Sequence, residues 1–332
     1  MDIELLRERA GIFRKIRAFF DERGYLETDT PLLASNLIPE PCLEVFETAY
    51  LPPQDSKVRK AQAYWLIPSP EIWMKRLIAD HHVSMYQICK CFRNGESTGR
   101  LHSPEFTMLE YYTMNAGYED SLSITEELFQ YLLPKPAPPE LGTPFRRISM
   151  EAAFSRWAGF GLYDAVEKNV LAEKARNLGL DPPPGMNNPD LYNLIFVHAV
   201  EPYLPRDKPA ALLDYPSFVP CLAKKHPSGK TVERWELYVR GIELANCYSE
   251  ETDPQEVRGY FETQGKVKER SALVPHGTDP DYWKVFLPRQ DARGGSRPFP
   301  RCSGVALGMD RLIMALTNRS SIDGALPFPM QR

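Results

Sequence analysis

The stretch CFRNGESTGRLHSPEFTMLEYY, Cys91 to Tyr112, limits what this chain can fold into more than any other. Its two ends alternate like paired strands, at about 84–93 and 105–114. Side chains on a strand point to opposite faces in turn, so Phe106, Met108, Glu110 and Tyr112 share one face. A carboxylate set among aromatic side chains on a core strand needs a partner. Arg93, at the end of the incoming strand, offers a planar, permanently charged fork that matches a phosphate or carboxylate. Between the strands lies a loop holding Gly95, Gly99, Arg100 and His102. Two readings fit: a ligand-binding floor, or a structural Arg–Glu pair among core aromatics.

A second constellation is ERWELYVRGIELANCYSE, residues 233–250. A two-residue turn at 239–240 places Glu236 directly opposite Glu243. Opposed carboxylates destabilise a sheet, and a divalent cation relieves them. Two carboxylates completed by substrate phosphates is a usual way to hold Mg²⁺. Asn246, Tyr248 and Glu250 alternate onto one face, and Glu250 suits an ammonium group. Glu243 joins that face only across a bulge or strong twist. An exposed, salt-bridged hairpin is the competing account. A third segment, GVALGMDRL at 304–312, puts two glycines on a strand, where a ligand can approach the backbone. Arg311 opens the next helix and can stack on a flat ring or hold a phosphate. A tight strand-to-helix junction with a solvated Arg311 fits equally.

Around these lie helical patterns. Leu5, Leu6, Phe13, Ile16, Phe19 and Phe20 make one stripe of a helix over 3–23. Further helices are expected from Pro70 to about Ala79 and at 119–132, 149–158, 163–178, 188–203 and 254–270. Short strands are expected near 43–48 and 63–67, and strands return from about 210. PKPAPPELGTP is a proline-rich connector. Hairpin-joined strands with helices around them predict an α+β fold with an antiparallel sheet. With 332 residues, 43% hydrophobic and 25% charged, a sizeable core is available. The net charge of -4 is not that of a protein held to nucleic acid mainly through phosphates. No apolar run is long enough to span a bilayer. The N-terminal segment carries Asp2, Glu4 and Glu8, unlike the unbroken apolar run of a signal peptide or an acid-poor transit peptide. The six cysteines show neither zinc-ligand spacing nor a disulfide framework. Cys89 and Cys91 share a strand face. A cytoplasmic protein with reduced thiols is expected.

Taken together, the motifs resemble those of class II aminoacyl-tRNA synthetases. FRN…E…RLHSPEFTMLEYY is similar to their motif 2, GVALGMDRL to motif 3, and the first helix with RGYLETDTPLL to the dimer-forming motif 1. SPE at 69–71, EFTMLEYY and GIELANCYSE match the lysine branch. The resemblance runs from about residue 5 to 328. It implies one class II catalytic domain over 1–332, with a helical insertion at about 149–205, and an enzyme that activates an amino acid with ATP and Mg²⁺. Arg93 is then the catalytic residue, bridging the α-phosphate and the attacking carboxylate. Phe106 and Arg311 sandwich the adenine. Asn94, Glu96, His102, Ser103, Leu244 and Gly308 complete the ATP site, and Glu236 and Glu243 hold Mg²⁺. Ser69, Pro70, Glu71, Glu110, Tyr112, Asn246, Tyr248, Glu250 and Ala306 form the amino-acid pocket, with Glu250 on the ε-ammonium.

Lysyl-tRNA synthetases carry an anticodon-reading barrel ahead of this domain, for which no room is expected here. They usually have glycine where this chain has Ala306 and alanine where it has Ser69. Both departures resemble the elongation factor P–lysine ligase family, which joins (R)-β-lysine to a lysine side chain of elongation factor P. The implied partners are elongation factor P, lysine or (R)-β-lysine and a second copy in a homodimer, with no membrane and no stable tRNA binding. A free-standing tRNA-charging enzyme and a non-catalytic binding protein remain as alternatives. The chain departs from the family at Gly95, which is inserted in the motif 2 loop, at Ser103, at Cys247 and in the Arg-rich segment 288–301.

Overall fold

The structure, a computed structural model, describes residues 2–53, 60–95, 99–290 and 294–330. The chain forms two compact units. One comprises the segments up to Asn115 and from Glu251 onward, the other Ala116–Glu250.

Helix α1 (Ile3–Asp21) is capped by Asp2, whose carboxylate accepts from the Glu4 amide at 2.9 Å. Its buried stripe includes Leu5, Ile16, Phe19 and Phe20. Gly24, at φ 73°, turns the chain toward β1 (Leu26–Glu27). β2 (Leu33–Ala34), β3 (Phe46–Tyr50) and β4 (Gln62–Leu66) make a small antiparallel sheet, ordered β2–β4–β3. Then come α2 (Glu71–His81), β5 (Met85–Phe92) and β6 (Glu105–Met114).

The other unit opens with α3 (Tyr118–Leu132) and β7 (Arg146–Ser149). A helical run follows: α4 (Met150–Ala153), α5 (Leu162–Glu167), α6 (Leu171–Asn177) and α7 (Asn188–Ile195). The helix expected over 163–178 is two helices, because Asn169 takes a left-handed conformation, φ 53°. β8 (Ala210–Pro216), β9 (Thr231–Val239) and β10 (Ile242–Ser249) end the unit. Phe154, Leu162, Leu191, Ile195 and Val200 of the helical run bury against Leu212, Tyr215, Val232 and Tyr238 of the strands. The order here is β10–β9–β8–β7, with β8 antiparallel to β9 and parallel to β7.

The first unit resumes with α8 (Pro254–Ser271), β11 (Arg289–Gln290), β12 (Ser296–Arg297), β13 (Cys302–Gly308) and α9 (Met309–Leu316). Its main strands run in the order β1–β5–β6–β13, antiparallel except for β1 with β5. The two faces of β5–β6 do different things. Tyr86 and Tyr111 lie opposite each other and meet Phe20 of α1, each with ring centroids 4.9 Å away. The other face carries Gln87, Cys89 and Cys91 beside Glu110, Met108 and Phe106. Asp310, at the start of α9, is buried and accepts from Arg9 of α1 and from the Thr107 amide, both at 2.7 Å. That carboxylate fixes helix α1 and strand β6 to one anchor, and a buried charge persists only with such partners. The α+β expectation thus matches the architecture, with antiparallel pairing dominant in each unit.

Candidate active site

In the first unit, strand alternation and register assemble a polar cluster on the face turned away from α1. Glu110 pairs in register with Gln87 on one side and Ala306 on the other. Its carboxylate is 2% exposed and accepts from the Ser69 hydroxyl at 2.6 Å and the Tyr112 hydroxyl at 2.8 Å. Ser69 is held in turn: its oxygen accepts from the Glu71 amide at 3.1 Å, next to Pro70 at the start of α2. That bond orients the Ser69 hydroxyl toward Glu110. One turn along α2, Lys75 reaches back to Glu71 at 2.5 Å and is itself 1% exposed. Burial first, and then the neighbouring Glu71 carboxylate, pushes the Glu110 carboxyl up to about 8, against the pull of its two hydroxyl donors.

At the far end of the hairpin the Arg93 guanidinium lies 5.3 Å from the centre of the Phe106 ring. The pair makes a flat, charged shelf suited to a nucleotide base and phosphate. Asn94 is tied into the backbone, its amide pairing with the Glu44 carbonyl at 2.9 Å. Gly95 takes φ 67°, which explains a glycine there. Glu96 lies outside the described residues. Arg311 donates to the Leu101 carbonyl at 3.2 Å, just before His102. Ser103 instead lines a cavity of 620 Å³ with Arg9, Lys90 and Thr107, and neither Arg93 nor Phe106 lines it. Gly308 pairs with Met108 and caps α9. Cys89 and Cys91 share a face as expected, with sulfurs 3.8 Å apart.

The second unit holds the other constellation, and here one expectation is corrected. The turn lies at Arg240–Gly241, not 239–240. Both residues have positive φ, 52° and 75°, as a type I′ hairpin requires. The one-residue slip changes every partner: Glu236 lies opposite Asn246, and Glu243 opposite Tyr238, so the two glutamates are not directly opposed. The expected bulge is present, a register shift between Glu243 and Ala245 at Leu244. It brings Glu243 onto the same face as Glu236, Asn246 and Tyr248.

Arg234 dominates that face. It donates to Glu236 at 2.5 Å and to Asn246 at 3.2 Å, and it lies over the rings of Tyr215 and Tyr248 at 4.4 and 5.3 Å. Burial works against its charge, but Tyr248 and Glu236 offset this and the guanidinium stays firmly charged. Tyr238 donates to the second oxygen of Glu236 at 2.9 Å, and Asn246 donates to the Tyr248 hydroxyl at 3.2 Å. Glu250, 3% exposed, follows the end of β10 directly and forms an isolated bridge with Ala223. Burial and Glu250 together raise the Cys247 thiol. Among the described residues no group of three or more His, Cys, Asp or Glu side chains could hold a metal ion by itself. Glu236 and Glu243 are hard oxygen donors on one face, although both Glu236 oxygens already accept, from Arg234 and Tyr238; Mg²⁺ there would take its other ligands from phosphate and water.

Lys75 and Arg234 are the side chains that sequence reasoning passed over. Each had a signal: Lys75 stands four residues after Glu71 on a helix, and Arg234 two before Glu236 on a strand.

The sequence matches the family described as "tRNA synthetases class II (D, K and N)" over residues 3–332. It is 35% identical over 330 residues to the elongation factor P–(R)-β-lysine ligase of Avibacterium paragallinarum, covering 99% of this chain and 96% of that protein. The ligase of the same name from Haemophilus ducreyi is 33% identical, covering 99% and 95% of the two chains. That of Vibrio atlanticus is 34% identical, covering 99% and 97%.

Proposed function

The chain belongs to the class II tRNA synthetase family and, within it, to the family of its elongation factor P–(R)-β-lysine ligase relatives, and from that premise we propose that it activates (R)-β-lysine with ATP and transfers it to a lysine side chain of elongation factor P. It is an ATP-dependent amino-acid ligase. The amino-acid carboxylate attacks the α-phosphorus of ATP and pyrophosphate leaves. The acceptor amine then attacks the acyl carbon and AMP leaves. Both initial reactants are anions, so the protein's contribution is to position them and neutralise charge. Arg93 bridges the α-phosphate and the attacking oxygen, and Phe106 and Arg311 hold the adenine. Glu236 and Glu243 would hold Mg²⁺, which would neutralise phosphate charge. Glu71, Glu110, Tyr112, Asn246, Tyr248 and Glu250 take up the amines and body of the amino acid.

What supports a ligase rather than a tRNA-charging enzyme is the convergence on Glu110. Ser69 and Ala306 are the two departures from the lysyl-tRNA synthetase pattern. Ser69 bonds to Glu110, and Ala306 is its neighbour in register. A β-amino acid moves the amine by one methylene relative to the carboxylate. A methyl and a hydroxyl beside one carboxylate are the size of change that such a shift needs. The net charge of -4 also suits a protein acceptor better than a stable tRNA partner. The homodimer and a cytoplasmic location belong to the same proposal; sedimentation at micromolar concentration reads the first. No helix of the described residues is long and apolar enough to cross a membrane.

The test is a transfer assay with ATP, labelled (R)-β-lysine or α-lysine, and either elongation factor P or bulk tRNA. Label on elongation factor P, stronger with (R)-β-lysine, is the expected result. Label on tRNA instead would replace the acceptor, and absence of pyrophosphate exchange with every amino acid would end the enzyme reading. Ala306→Gly is expected to lower the preference for (R)-β- over α-lysine by about 10-fold or more, the scale of about 1–3 kcal/mol that one methylene commands in a pocket. Comparing kcat/KM for pyrophosphate exchange with the two amino acids checks this, and an unchanged ratio removes Ala306 as the determinant.

A further inference from the structure

The cluster at the start of α2 contains two carboxylates, Glu71 and Glu110, that act on each other. Glu71 has a cation, Lys75, at 2.5 Å. Glu110 does not share that arrangement: its two partners among the described residues are the hydroxyls of Ser69 and Tyr112. A carboxylate 2% exposed and bonded only to neutral groups is held in a costly state, because hydroxyls do not cancel its charge. The charge there can be completed in two ways: by a proton on Glu110, or by a second ammonium group. The amino acid of the proposed reaction brings ammonium groups.

We propose that Glu110 is a proton-exchange site for the substrate amine: it carries a proton while the pocket is empty, and a primary ammonium group of the amino acid displaces that proton to solvent. The exchange balances. Glu110–COOH and R–NH₃⁺ become Glu110–COO⁻ paired with R–NH₃⁺, and H⁺ leaves. No bond to carbon changes. This inference rests on the amino-acid activation reading and adds how its substrate is recognised: the pocket demands a cation of full charge, because a neutral analogue cannot replace the proton.

The groups facing Glu110 set the sign. From α2 come Glu71 and Lys75, from its own strand Tyr112, and from β5 Cys89 and Cys91, with Arg93 acting on Cys91. β13 presents the uncharged Ala306 in register. Glu71 disfavours a second negative charge, and the position of Lys75 on Glu71 leaves Glu110 to the proton. The carboxyl, raised to about 8, is then mostly protonated at neutral pH. Since the folded value exceeds the ordinary carboxylate value, the stability this group contributes is fully present below about pH 4 and is lost as pH rises through about 8. Amine binding should follow the opposite course. It tightens as pH rises toward that value, because less proton has to be expelled.

The experiment is isothermal titration calorimetry of (R)-β-lysine into the intact protein, at pH 7, in buffers of different ionisation enthalpy. The slope of observed heat against buffer enthalpy counts protons. Release of about one proton per amine bound is expected at pH 7, falling toward none above pH 9. Glu110→Gln, which keeps the shape and carries no titrating group, should bind the amine more weakly and release no proton. Infrared difference spectroscopy of the unmodified protein gives a readout that no variant's folding can spoil: a protonated-carboxyl band that disappears when the amine is added. A proton count near zero, or the same release from Glu110→Gln, overturns the inference while leaving the ligase reading intact. Heat of binding absent for every amino acid would overturn both.

Discussion

Replacing Arg93 by lysine is expected to lower kcat for amino-acid-dependent pyrophosphate exchange by about 10²–10³-fold, the usual effect of removing one preorganised donor aimed at developing charge. The charge survives the change, but the planar fork does not. Lysine presents a compact ammonium that cannot meet a phosphate oxygen and a carboxylate oxygen side by side. It also loses the face-on position over Phe106, 5.3 Å from the ring centre, that holds the guanidinium at the end of β5. Arg93 is half-buried at the hairpin end, so the thermal midpoint is expected to move little. The division between kinetic constants carries the meaning. A fall in kcat with ATP KM nearly unchanged assigns Arg93 to the transition state. A rise in KM alone makes it an ATP-binding residue only, and an unchanged kcat removes it from the chemistry.

Much of this was open to sequence reasoning, for reasons that differ by element. The hairpin was legible because alternation with aromatic and β-branched residues is a strong local signal: strands expected at 84–93 and 105–114 are observed at Met85–Phe92 and Glu105–Met114. The turn of the second hairpin lies one residue beyond its expected place because Arg240 occupies the left-handed region, φ 52°, where asparagine or glycine usually announces the turn. A slip of one is not small in a sheet, since it reassigns every cross-strand partner. It hid the pairing of Glu236 with Asn246. The pattern over 163–178 predicts one continuous helix because a single left-handed Asn169 leaves little trace in an apolar pattern.

Lys75 and Arg234 were illegible for another reason. A Glu–Lys pair four apart on a helix most often reads as a solvated surface pair, and only burial reveals otherwise. Lys75 is 1% exposed. The convergence of Ser69 and Ala306 on Glu110 needed tertiary register, because those residues stand far apart in the chain.

Arg234→Leu is expected to destabilise the protein by about 3–5 kcal/mol, the cost of breaking a buried ion pair from one side. Leucine leaves the Glu236 carboxylate, 9% exposed, with the Tyr238 hydroxyl as its remaining hydrogen-bond donor among the described residues, in place of a guanidinium at 2.5 Å. It also removes the donor at 3.2 Å from the Asn246 amide oxygen and leaves Asn246 its bond to Tyr248, so pyrophosphate exchange is expected to fall as well. The double variant Arg234→Leu with Glu236→Leu separates charge from positioning. Replacing both partners by apolar groups removes the stranded charge, so most of the lost stability should return in a denaturant titration. Exchange should not return, because a proposed Mg²⁺ ligand is gone and the Asn246 amide oxygen still lacks its Arg234 donor. Should the double variant be as unstable as the single one, the stabilising contribution of Arg234 lies in its stacking on Tyr215 and Tyr248 rather than in its pairing with Glu236. Arg234→Lys then decides between the two: it keeps the positive charge beside Glu236 and loses the flat surface those rings cover.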